Sequence, residues 1–128
     1  VFRKVFSQPI DAEVGQRLIA AELQRIVENC NPESVYLFGS AARGEMTDAS
    51  DLDFLVVLPD SADVKSLKSR YYRSSAERTV PVDAIFVKRS EFEKRSRIGG
   101  VCFVVADEGR LLYPSLSESE QNGKVKKV

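Results

Sequence analysis

The chain has 128 residues, with 19 basic and 19 acidic side chains, two cysteines and no histidine. That length suits one domain able to bury roughly two thirds of the surface its unfolded form exposes, and the balanced charge gives no footprint for tracking along DNA or RNA, so an extended nucleic-acid partner is disfavoured. Without histidine, Ser-His-Asp and Cys-His catalysis and an ordinary zinc site are excluded, and no segment is apolar for long enough to be a signal peptide or membrane span, so a soluble, cytoplasmic protein with no membrane partner is expected.

Residues 11–31 place Ile19, Leu23, Ile26, Val27 and Cys30 at offsets of four, seven, eight and eleven, the stripe of an amphipathic helix that Asn31 and Pro32 end. Residues 35–38 read as a short strand. Gly39 and Ser40 then open a single helical turn through Ala41, Ala42 and Arg43, stopped by Gly44 where a left-handed cap is favoured. A polar loop runs to Ser50. Residues 51–58 are apolar on both faces, with Leu55 and Val57 on one and Leu52, Phe54, Val56 and Leu58 on the other, as in a buried central strand. Residues 60–78 carry Val64, Leu67 and Tyr71 at helical offsets and Lys65, Lys68, Arg70 and Arg73 elsewhere, which predicts a crossover helix with a solvated basic side.

Residues 80–87 give the next strand. Ser90 and Glu93 fit a capping box that starts a short helix. Ile98, Val101, Cys102 and Val105 repeat at offsets of three, four and seven, favouring a helix although residues 101–105 are rich in strand formers. Residues 111–113 add an edge strand before Pro114, and the polar stretch 115–128 is expected to be disordered. Cys30 and Cys102 lack CxxC spacing and read as reduced core thiols. The expectation is an α/β (α+β) domain over residues 1–114, a small mixed sheet with helices packed against it, followed by a polar tail over 115–128.

The chemistry concentrates between residues 39 and 53. Alternate strand residues share a face, so Asp51 and Asp53 project side by side and form a divalent-metal ligand pair. Asp83, inside the otherwise apolar run 80–87, is the candidate third ligand. The strands at 51–58 and 80–87, joined by a helix, should run parallel with their starts on one edge, and an opposed strand 35–38 would deliver Gly39 and Ser40 to that same edge. Gly39 permits close approach of a ligand and Ser40 offers a hydroxyl at a helix start that favours an anion. Hard oxygen donors suit Mg²⁺ or Mn²⁺. Two unit charges 4 Å apart cost about 4 kcal/mol at an effective dielectric near 20, so three carboxylates without a cation should repel. The set fits in-line nucleotidyl transfer from a nucleoside triphosphate, with two metal ions clamping the α-phosphate.

Gly39-Ser40, Ala42-Arg43-Gly44 and Ser50-Asp51-x-Asp53 resemble the signature of the DNA polymerase β-like nucleotidyltransferase superfamily, in particular its minimal nucleotidyltransferase branch. The likeness extends more weakly over residues 20–114. The resemblance implies the polymerase β-like nucleotidyltransferase fold, Asp51, Asp53 and Asp83 as metal ligands, and nucleotide contacts from Gly39 and Ser40, with Arg43 and Ser50 counted in the nucleotide-binding set. It also implies ATP as the donor and, as in antitoxins of this branch, a helical HEPN-type ribonuclease partner that receives AMP.

The residues alone leave alternatives open. Asp51 and Asp53 could be solvated residues at a strand entrance, and Asp83 could pair with Arg78 or Lys88. Arg43 has two equal readings, a phosphate contact or an ion pair with Glu45 or Asp48. A non-catalytic antitoxin-like subunit that neutralises a ribonuclease by contact competes with the enzyme, and a homo-oligomer could supply the acceptor pocket that a single domain lacks.

Overall fold

The computed structural model describes residues 8–74 and 80–114. In chain order it has helix α1 (Ala12–Cys30), strands β1 (Ser34–Phe38) and β2 (Leu52–Leu58), helix α2 (Val64–Arg73), strand β3 (Val82–Lys88), helices α3 (Arg89–Arg95) and α4 (Gly100–Glu108), and strand β4 (Arg110–Tyr113). The four strands form one mixed sheet in the order β3-β2-β1-β4. β1 is antiparallel to β2 and to β4, while β2 and β3 are parallel neighbours, as the helical crossover between them demands. The expected α/β (α+β) architecture is the one observed.

β2 is the spine, and its alternation separates two cores. Leu52, Phe54, Val56 and Leu58 pack on one face with Ile26 and Cys30 of α1 and Tyr71 of α2, whereas Leu55 and Val57 pack on the other with Val105 of α4 and Phe92 of α3. All six of these β2 residues are buried, which requires cover on both sheet faces. Cys30 and Cys102 are buried free thiols, as read from sequence. No helix among the described residues is long and apolar enough to cross a membrane.

Local chemistry sets the ends of the elements. Asp11 caps α1 through its carboxylate, which accepts from the N–H groups of Glu13 and Val14, and Asn31 closes the helix in the left-handed conformation. α2 starts at Val64 rather than near residue 60, because Asp63 supplies the cap by accepting from Ser66 N–H. The capping box expected at Ser90 does not form. α3 begins two residues earlier, at Arg89, with Lys88 at the cap, and the Ser90 N–H donates instead to Asp60 at 2.9 Å. The bond draws the Asp60 carboxyl below its ordinary range. A carboxylate from the β2 exit thus replaces the local cap. β3 starts at Val82, two residues later than expected, because Pro81 contributes its carbonyl to Leu52 N–H but has no N–H of its own. Arg78 and the tail 115–128 fall outside the described residues.

Candidate active site

The parallel register of β2 and β3 places Asp53 directly opposite Asp83, and the antiparallel register of β1 and β2 places Phe38 opposite Asp53. Gly39 follows Phe38, so the turn and the carboxylates meet at one sheet edge, as the strand directions predicted. Asp51 precedes β2 by one residue and shares the parity of Asp53. Asp51 and Asp83 are exposed and Asp53 is half-buried.

The electrostatics tie the three together. Asp53 has its carboxyl pushed above the ordinary range by burial first, then by the negative charges of Asp83 and Asp51, while Arg43 pulls it back down. Hence two carboxylates, one from each strand start, act on the third. Among the described residues no three Asp, Glu or Cys side chains stand close enough together to hold a metal ion. The trio shares an edge and a field, and its donors are the hard oxygens that Mg²⁺ or Mn²⁺ accept.

Gly39 has a second task that sequence reasoning missed. It sits at φ +76°, and a Cβ on it would lie 2.2 Å from Oδ2 of Asp53. The missing side chain is therefore the seat of the Asp53 carboxylate, and the backbone freedom expected to serve a ligand serves this contact within the chain. The sequence signal was the glycine at the strand exit, one residue after the partner of an aspartate.

Residues 39–44 form a one-turn loop whose end is a Schellman closure. Gly44 N–H donates to Ala41 O at 3.3 Å and Glu45 N–H to Ser40 O at 2.9 Å, with Gly44 left-handed at φ +73°. The expected cap is thus present. The N–H groups of Ala42 and Arg43 bond back to Gly39 O, whereas those of Ser40 and Ala41 have no partner among the described residues. Two backbone donors without a partner among the described residues remain at this turn.

The other two signature residues are engaged within the chain. Arg43 donates from Nε to Oε1 of Glu45 at 3.0 Å, the ion-pair reading of this residue, while still acting on Asp53 through its charge. Ser50 Oγ accepts from Thr47 N–H at 2.8 Å and lies 3.2 Å from the Thr47 hydroxyl. It locks the turn that leads into Asp51.

A family model of the nucleotidyltransferase domain matches residues 17–112. The chain belongs to the nucleotidyltransferase domain family. The matched span covers the turn, all three aspartates, three strands and all but the last residue of the fourth in this nucleotidyltransferase domain. Two solved structures share its fold with a TM-score of 0.53 each. One is a candidate nucleotidyltransferase from Sulfolobus solfataricus, 22% identical, covering 83% of this chain and 89% of that one. The other is a toxin-antitoxin structure with AMP-PNP, 20% identical, covering 79% of this chain and 77% of that one. No curated protein matches the sequence.

Proposed function

We propose that this domain is a metal-dependent nucleotidyltransferase of the minimal branch, moving AMP from ATP to a hydroxyl on a protein partner. The observation that carries this is the half-buried Asp53, seated on Gly39, with its carboxyl raised by burial first and then by the charges of Asp83 and Asp51. Mg²⁺ or Mn²⁺ held by Asp51, Asp53 and Asp83 would supply charge neutralisation at the α-phosphate and at the departing pyrophosphate.

The chain's own groups do the rest. Ser40 and Ala41 present backbone donors, and Ser40 a hydroxyl, to the phosphate tail. Gly39 fixes where the Asp53 carboxylate rests. The acceptor hydroxyl approaches over the open edge, where Asp51 and Asp83 stand exposed and can take its proton. An acceptor carried on a second protein matches that open edge, since a broad surface can reach it. The polymerase β-like resemblance, and the toxin-antitoxin structure that shares the fold, favour a HEPN-type ribonuclease as that protein.

One observation favours a second reading, in which the chain blocks such a ribonuclease by contact without transfer: the three carboxylates do not stand close enough together to hold a metal ion. Incubation with each nucleoside triphosphate and Mg²⁺, with and without a candidate helical partner, followed by intact-mass measurement, separates the two. The transferase adds one nucleoside monophosphate to the partner, and D51A/D53A abolishes both the adduct and neutralisation. Unmodified partner that is still neutralised by D51A/D53A refutes the transferase.

A further inference from the structure

α4 is apolar from Val101 to Ala106 yet buries only one side. Cys102 and Val105 face the sheet, while Gly100, Phe103, Val104 and Asp107, at i, i+3, i+4 and i+7, are all exposed and form one outward stripe. Phe103 is 48% and Val104 43% exposed, and Ile98, just before the helix, is 75% exposed. Three large apolar side chains exposed within residues 98–104 are more than scattered surface residues.

The charges around the patch are polarised. Lys94 and Arg97 lie at its Ile98 end, Asp107 and Glu108 outweigh Arg110 at the other, and none of the five has an ion pair or side-chain hydrogen bond among the described residues. A nine-residue helix spans about 14 Å at 1.5 Å per residue, so cationic and anionic ends stand about one short helix apart. A surface with an apolar middle and opposite charges at its two ends is complementary to itself under a two-fold rotation.

We propose that the outer face of α4 is the interface of a homodimer in which two copies of this chain pack α4 antiparallel. The two-fold axis passes between Phe103 and Val104, so that each Phe103 meets the other copy's Val104. Gly100 faces Asp107 across the axis and admits close approach of the two helices. The acidic end of each α4 then lies against Lys94 and Arg97 of its mate, beside the groove of about 520 Å³ that Ser90, Lys94, Arg95, Ile98 and Gly99 help to line. Because Arg110 pairs with Leu37, the acidic end of α4 stands at the sheet edge that carries Gly39 and Asp53. Dimerisation therefore sets the mate's Ile98 turn beside each candidate active site and adds a wall to its open side. The patch is short, and interfaces below about 1,200 Å² are weak, so the dimer is concentration-dependent.

Sedimentation velocity on the full chain across the micromolar range tests this. The wild type shifts from monomer to dimer with concentration, and F103D raises the dissociation constant at least tenfold, as loss of a central anchor does. K94E/R97E weakens the dimer comparably, and adding D107K/E108K to it restores association. The substituted side chains are exposed, and circular dichroism verifies that each variant keeps its fold. A chain that stays monomeric at every concentration, a dimer indifferent to F103D, or a fourfold charge reversal that fails to reassociate overturns the proposal. None of these outcomes depends on nucleotidyl transfer.

Discussion

Replacing Gly39 by alanine should injure the site through two separable effects. Gly39 is left-handed at φ +76°, which costs an L-residue about 1–2 kcal/mol. The added Cβ would also stand 2.2 Å from Oδ2 of Asp53, far inside van der Waals contact, so the carboxylate must rotate off its seat. Gly44 is the built-in control. It has nearly the same φ, +73°, but nothing lies within 4 Å of its added Cβ. Both alanine variants should therefore lose about 1–2 kcal/mol in urea unfolding. Only G39A should also lose transfer activity, by about a hundredfold for a ligand displaced by roughly 1 Å. Equal activity in G39A and G44A would refute the claim that Gly39 exists to seat Asp53.

Other consequences follow from particular residues. Because the folded Asp53 carboxyl is raised, its contribution favours the fold fully at low pH and is lost as pH rises through the folded value. Metal-free D53N should accordingly melt above the wild type at pH 7, with the gap closing on acidification below the ordinary aspartate range, and scanning calorimetry across pH reads this. The Tyr71 hydroxyl, fully buried, donates to the Glu22 carboxylate, so Y71F should cost about 2 kcal/mol, the scale of a hydrogen bond to a charged group. Chemical denaturation checks that figure, and a loss below 0.5 kcal/mol, the low end for an ordinary hydrogen bond, would contradict it. Burial pushes the Cys30 thiol up to about 11, so it should resist iodoacetamide at pH 8 in the native protein and react once unfolded. Modification of the native protein at the unfolded rate would show that this core opens.

Much of the fold was legible because β2 carries two interleaved apolar sets that only a doubly covered strand requires, and because a helix between two strands enforces their parallel course. The same rule made the meeting of Asp53 with Asp83 predictable. Glu22 lay in plain view on the α1 stripe, three after Ile19 and four before Ile26, yet its partner Tyr71 is 49 residues away and no local pattern reports it. The capping box at Ser90 failed for the same kind of reason, since Asp60 arrives from the end of another strand to take the N–H. Periodicity gives what neighbours along the chain decide. Contacts chosen in three dimensions, such as Gly39 under Asp53, need the register.

The central claim is that Asp51, Asp53 and Asp83 act as one cation-holding set beside the glycine-serine turn. Calorimetric titration of Mn²⁺ in the presence of a non-hydrolysable ATP analogue tests it most directly, comparing the wild type with D83N, since Asp83 comes from the separate strand. The account predicts nucleotide-dependent Mn²⁺ binding in the wild type that weakens at least tenfold in D83N. Wild-type binding in D83N, or no Mn²⁺ uptake with nucleotide present, would contradict it.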